Sequence, residues 1–241
     1  GTLAFAVNDL FVKSLGQTIS PFQMAFFRYG IGFMLMLPFF LKMGVSGLKT
    51  NRPGIHIARL ILACVAQVGV YTSVVYLPLA DATALAFSRI LFTTVIAVIF
   101  LREIVSGRRW TATVAGFVGV VIMVRPGGQI DPVVFIAIGA ACTFAIANVL
   151  IRIMSSTEPP NRILFYYQIG GIIVFLPPTV ALWQTPPDLV SWLMALAIGV
   201  LTTVGMIGFI RGFVVGEASV IGPTEYILSL IHISEPTRQH H

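Results

Sequence analysis

Charge is what this chain has least of. Asp, Glu, Lys and Arg make up 10% of its 241 residues and hydrophobic residues 57%, a balance that excludes an ordinary water-soluble domain. Cysteine is scarce too: Cys64 and Cys142 each sit inside an apolar run, without metal-ligand or disulfide-framework spacing, and read as core residues. No HExxH, Walker loop or GxSxG occurs, and with them go the usual signatures of metal-dependent hydrolysis, nucleotide-driven work and serine catalysis. The GRRW segment at 107–110 is a basic stretch rather than a phosphate cradle. No cofactor and no metal are expected.

What the chain has instead is apolar runs of about 20 residues, each able to cross roughly 30 Å of hydrocarbon as a helix. The runs are continuous and lack the every-other-residue alternation of a membrane barrel, so helices are expected. Bounded by Gly, Pro and charge, the spans fall at 1–15, 21–41, 58–79, 82–101, 110–124, 133–154, 162–182 and 189–210, with a ninth starting near Ala218. The expected fold class is all-α, a polytopic membrane helix bundle.

A formal charge of +6 would suggest nucleic acid in a soluble chain, but here the basic residues occupy short connections between apolar runs. The expected partners are the lipid bilayer and a small-molecule substrate, with no nucleic acid; oligomeric state leaves no mark in the sequence. With the first span running outward, the inner connections hold Lys42, Lys49, Arg52, Arg59, Arg102, Arg108, Arg109, Arg152, Arg162 and Arg211, against Lys13 and Arg125 outside. That asymmetry sets the cytoplasmic side of a multi-pass protein of the cell membrane. His56, within a basic connection, is expected to be solvated.

The chain also repeats itself. Residues 5–13 read FAVNDLFVK and residues 144–152 read FAIANVLIR; the same offset (144 − 5 = 139) carries Pro21, Phe26, Gly32, Leu37 and Pro38 onto Pro160, Phe165, Gly171, Leu176 and Pro177. A nearby offset (204 − 68 = 136) carries Val68-Gly69 onto Val204-Gly205 and Asp81-Ala82-Thr83 onto Glu217-Ala218-Ser219. The first copy holds an odd number of spans, so the second is expected to enter the membrane the other way up. The copies part at the RPGGQIDP turn of 125–132. The expected domains are a first repeat over 1–126 and a second over 127–227. The segment LSLIHISEPTR at 228–238 resembles a translated sequencing adapter, and 228–241 is set aside as a non-native tail. The chain also starts at Gly1 rather than Met, within a span, so its natural start is expected to be missing.

Four stretches carry a family resemblance: the Arg28-Tyr29 pair, YLPLADATAL running into the fourth span, LREIVSGRRW with Glu103, and GEASVIGPTEY leading into the ninth. On these the chain resembles an EamA-type member of the drug/metabolite transporter superfamily. The resemblance implies ten helices as two inverted five-helix repeats, the second incomplete here through loss of part of helix nine and all of helix ten. Arg102 stands where that family usually has Gly before the Glu.

Charged groups within hydrocarbon cost about 2.5–3.5 kcal/mol each on insertion scales, so each is a candidate site residue. At 1.5 Å per residue, Asp9, Arg28 and Arg89 share a level roughly 10 Å below the outer surface, with Asn8 beside them, Tyr71 near the same level and Gln67 about a turn deeper. The inverted second copy repeats the tier near the inner face with Asn148, Tyr167, Gln168 and Glu225. Asp9 can pair with Arg28 or Arg89, and Arg89 and Glu225 can face each other across the repeat axis. Tyr71, Tyr166 and Tyr167 lie too deep for an interfacial belt and are expected to line a cavity. Pro223 is expected to kink the ninth span.

The expected function is secondary active transport of a small polar or amphipathic metabolite by alternating access. Without a nucleotide motif, an existing gradient has to drive it. A membrane-embedded enzyme acting on lipid-linked substrates would need a catalytic cluster near a loop, and these short, acid-poor connections offer none. A passive channel would want a continuous polar stripe rather than two tiers.

Overall fold

The computed structural model describes residues 2–101, 106–124 and 131–215. Eight helices follow in order: α1 Thr2–Leu15, α2 Pro21–Leu48, α3 Pro53–Tyr76, α4 Leu79–Leu101, α5 Gly107–Val124, α6 Pro132–Ser155, α7 Pro160–Ala181 and α8 Leu189–Val215. No strand occurs among the described residues. The expected ninth span, Pro223, Glu225, Glu103 and most of the 125–132 turn lie outside them.

Proline opens α2, α3, α6 and α7, where its fixed φ suits the first turn and its missing N–H costs nothing. Asp131 caps α6 by accepting from the Val133 amide at 2.9 Å, and Asp188 caps α8 by accepting from the Ser191 amide at 2.8 Å. That second bond, with no burial to oppose it effectively, holds the Asp188 carboxyl below its ordinary value. α2 runs past the expected end at 41 because Gly44, at φ +66°, lets the helix kink and continue to Leu48.

The departure from the expected spans that most changes the interior is at α3. It starts at Pro53 rather than 58, which draws His56 into the helix and sets Arg59 nearly two turns inside it. Both are buried, Arg59 to 2% exposure, so His56 is not the solvated residue expected and Arg59 does not lie in a connection. α3 also shows how these helices sort their faces. Ile57, Ile61 and Val65, four residues apart, are more than half exposed, while His56, Arg59, Ala63, Gln67, Tyr71 and Val74 face the protein interior. An apolar stripe outside and polar groups inside is the pattern for a helix solvated by lipid. Six helices, α2, α3, α4, α6, α7 and α8, are long and apolar enough to cross a membrane. The protein is a multi-pass membrane helix bundle.

α3 packs along α6, α1 along α8, α2 along α7, and α4 on α6. Under the repeat offsets α1 becomes α6, α2 becomes α7 and α3 becomes α8. The α3–α6 contact then becomes the α8–α1 contact, and α2–α7 maps onto itself.

The two ends of the bundle are tied differently. At one, the α2–α3 and α6–α7 connections meet. Thr50 Oγ1 donates to Glu158 Oε1 at 2.6 Å, Arg162 Nη1 donates to Glu158 Oε2 at 2.7 Å, Arg162 Nε donates to the Gly47 carbonyl at 2.7 Å, and the Tyr166 hydroxyl donates to the Leu48 carbonyl at 2.8 Å. Lys42, Lys49, Arg52 and Arg152 lie at the helix ends and connections here and make this the basic end. At the opposite end, Gln23 Nε2 donates to the Gln184 carbonyl at 2.7 Å, and Gln23 Oε1 accepts from the Gln184 amide at 3.0 Å. There too Lys13 Nζ donates to the carbonyls of Val75, at 3.0 Å, and Leu77, completing the C-terminal turn of α3.

Candidate substrate cavity

Hydroxyls inside a helical bundle can satisfy themselves on their own helix. Ser73 donates to the Gly69 carbonyl, Thr83 to that of Leu79 and Thr202 to that of Ile198. Amides, phenols and charges cannot do this so readily and must find partners across helices. Following those groups leads to a cavity of about 110 Å³ in the half of the bundle away from the basic end.

Asn8, Asp9, Arg28, Gln67, Tyr71 and Arg89, the six first-repeat residues singled out above, all line it. α1, α2, α3 and α4 supply them, while α6 contributes Ala137, Ala141 and Phe144 and α8 contributes Thr202 and Met206. Both halves of the chain therefore build the wall.

Arg28 is 5% exposed and does not pair with Asp9. Its Nη1 donates to Gln67 Oε1 and its Nη2 to the Tyr167 hydroxyl at 2.8 Å. Asp9 instead accepts from Asn8 Nδ2 at 3.3 Å and lies within the electrostatic reach of Arg89. Arg89 carries its guanidinium carbon 5.4 Å from the centre of the Phe144 ring, a cation–π distance. Two cavity groups have no hydrogen-bond partner although buried: Asn8 Oδ1 and the Tyr71 hydroxyl.

The second-repeat residues fall elsewhere. Tyr167 stands behind Arg28 rather than in the wall. The two are separated by the repeat offset of 139, so their bond joins equivalent positions on α2 and α7. Gln168 packs where a β-carbon on Gly32 would strike its amide, and Tyr29 packs where one on Gly171 would strike its ring. These two contacts are again each other's equivalents at 139. Asn148 is buried on α6 outside the cavity wall. Glu225 lies outside the described residues, so its pairing with Arg89 and the expected anionic inner tier are not part of this geometry. In that half, among the described residues, Glu158 is buried in the tie at the basic end, and Arg59 is buried with its guanidinium carbon 4.6 Å from the Tyr167 ring centre.

Sequence reasoning missed Phe87 and Phe144, which add aromatic surface to the wall. It also missed Arg59 and His56. For these a signal existed: Pro53 marks a helix start and places both one to two turns inside. For the phenylalanines there was none, because apolar residues fill every span.

A lipid-solvated helix bundle enclosing a polar cavity shared by its two halves has the construction of a membrane transporter of small molecules. The EamA-like transporter family model matches residues 1–125 and 131–233, and the chain belongs to that family. It is 31% identical over 231 residues to the S-adenosylmethionine uptake transporter of Rickettsia conorii, covering 95% of this chain and 78% of that one. Identity is 26% to the riboflavin transporter of Vibrio cholerae, over 93% and 77% of the two chains, and 26% to the pseudopaline exporter of Pseudomonas aeruginosa, over 94% and 80%. One protein of known crystal structure superposes with a TM-score of 0.71 at 16% identity, over 98% of this chain and 90% of its own. That likeness concerns the fold alone.

Proposed function

We propose that the chain is a secondary carrier, not an enzyme, and that its substrate is a small amphipathic zwitterion held in the cavity between Asp9 and the arginines. One observation carries this reading. Asp9, Arg28 and Arg89 line the same cavity as two unpartnered polar atoms and the rings of Phe87 and Phe144. A substrate carboxylate matches the guanidiniums, and a substrate ammonium matches Asp9 and Asn8 Oδ1, which accepts. The aromatic rings suit a flat or cationic remainder. S-adenosylmethionine combines all of these groups, and the names of the Rickettsia relatives make it the first compound to try.

Alternating access follows from the same reading. We take the chain as two inverted repeats, 1–126 and 127–227, which the paired contacts of α3 with α6 and α1 with α8 favour. Rocking one against the other about the α2–α7 contact would close the cavity on one side and open it on the other. We place the basic end in the cytoplasm and the protein in the cell membrane, on the distribution of Lys and Arg. Single cysteines at Asn51 and Pro187, without Cys64 and Cys142, should label from opposite sides of intact cells; labelling of both from outside contradicts this orientation.

Counterflow in proteoliposomes tests the carrier reading. Unlabelled S-adenosylmethionine inside should accelerate uptake of labelled compound. Uptake without trans-stimulation would indicate a channel, and recovery of a chemically altered product an enzyme.

A further inference from the structure

The buried side-chain atoms without hydrogen-bond partners fall into two sets. Asn8 Oδ1 and the Tyr71 hydroxyl belong to the cavity. The Tyr29 hydroxyl, Arg59 Nε and both ring nitrogens of His56 form a second set outside the cavity wall, with Arg59 and His56 toward the basic end. The Arg28–Tyr167 bond stands between them.

The second set is costly as it stands. Arg59 is 2% exposed and, among the described residues, no carboxylate pairs with it or with Arg28. Both guanidiniums instead lie near one ring, their carbons 4.6 and 5.6 Å from the centre of Tyr167. Two buried cations sharing one ring, with donors unspent, make a place for an anion. His56 and Arg59 are one turn apart on α3, so they present to the same side. A neutral imidazole always keeps one N–H to donate.

The fold itself does not require this chemistry. At the repeat offset of 136, the counterparts of His56 and Arg59 are Trp192 and Ala195. Trp192 packs tilted against Phe27 with ring centres 5.7 Å apart, while His56 packs tilted against Tyr166, the counterpart of Phe27, at 4.5 Å. Ala195 is buried at 2% exposure. The same two ring contacts thus hold both ends together, and an apolar pair suffices at one of them.

We propose that Arg59 and His56, with the Tyr29 hydroxyl, form a second station that takes the substrate's carboxylate when the carrier opens toward the basic end. This rests on the carrier reading of the cavity. In the conformation described here the carboxylate binds at Arg28; on rocking, it passes Tyr167 and is received by Arg59. The first station's cation and the second's lie 5.6 and 4.6 Å from the centre of one phenol ring, so the carboxylate stays close to a cation throughout the exchange.

Vesicles of fixed orientation test this with labelled S-adenosylmethionine and its decarboxylated analogue. Arg59→Gln should raise KM for S-adenosylmethionine at least tenfold when it is presented at the basic end and less than twofold at the opposite end. The decarboxylated analogue should show no such difference, and Arg59→Lys should recover most of the loss. Equal effects at both faces, no effect at either, or an equal effect on the decarboxylated analogue would overturn the station. If Arg59→Gln is not recovered as a monodisperse protein, His56→Phe carries the same comparison, with a rise confined to the basic face expected. Wild-type vesicles that exchange neither compound would refute S-adenosylmethionine as the substrate of the cavity, and with it the station as proposed for its carboxylate.

Discussion

The basic end and the opposite end of this bundle are alike in construction and unlike in chemistry. At the opposite end Phe27 lies between Trp183 and Trp192, with ring centres 5.9 and 5.7 Å away, and the Gln23–Gln184 pair ties α2 to the α7–α8 connection. At the basic end the counterpart of that stack is Tyr166 on His56, and the tie is Glu158 held by Thr50 and Arg162. Contacts between repeat-related positions persist where side chains must fit against each other, whereas charge is free to differ. The two ends are thus alike in how their side chains pack and differ in the charged and titratable groups they carry.

The most severe break in the comparison is at its centre. Arg28→Gln leaves Tyr167 and Gln67 without a charged donor, and hydrogen bonds to charged groups are worth about 1.5–3 kcal/mol. Transport should fall by at least about two orders of magnitude at both faces, since by the arithmetic of 1.4 kcal/mol per tenfold a loss near 3 kcal/mol has that size. Initial rates in sided vesicles measure this; a loss at one face only would show that Arg28 does not stand on the shared path.

The glycine pair sharpens the symmetry. Gly171→Ala drives a β-carbon into the ring of Tyr29, a residue fully buried and stacked on Phe175, whereas Gly32→Ala meets the end of the Gln168 side chain and the Thr203 hydroxyl. Overpacking a fixed ring costs about 1–3 kcal/mol, and the amide end of a glutamine gives way more easily. Thermal unfolding in detergent should rank Gly171→Ala as clearly the less stable. The reverse order would mean the two contacts are not equivalent in rigidity.

The smallest effects separate the two ties. Burial alone would raise the Glu158 carboxyl, but hydrogen bonds from Thr50 and Arg162 and the charges of Arg162 and His56 together hold it below its ordinary value of 4.5. A depressed carboxyl contributes stability that is present above its unfolded value and is lost as pH falls through the lowered folded value. Glu158→Gln should therefore cost stability at neutral pH and remove part of the loss on acidification below about 4.5. Gln23→Ala, which breaks a neutral interhelical pair worth about 0.6 kcal/mol per bond on average in membranes, should cost no more and show no pH dependence. Melting curves at pH 7 and pH 4 compare them directly.

Much of this was legible in the residues. Apolar runs and their Pro and Gly boundaries placed the eight described helices to within a few positions at most ends, because a span announces itself by length and composition. Asn8, Asp9, Arg28, Gln67, Tyr71 and Arg89 meet in one cavity because a polar group in hydrocarbon has to face the interior. Depth alone could not place Asn148, Gln168 and Tyr167, since it says nothing about which way a helix face turns. Tyr167 meets Arg28 through the α2–α7 contact, and Gln168 is taken up in packing against Gly32. His56 and Arg59 were hidden by their own charge, which reads as a loop until Pro53 is read as a helix start.

The central claim is that the cavity between Asp9 and the arginines is where substrate sits. Thr83→Cys, in a background without Cys64 and Cys142, places a reactive thiol in its wall. The measurement is the rate at which a membrane-impermeant maleimide labels that thiol from the side opposite the basic end, with and without saturating S-adenosylmethionine. Labelling should proceed from that side and slow several-fold when the compound is present. An unchanged rate in vesicles that still exchange S-adenosylmethionine would place the substrate path elsewhere.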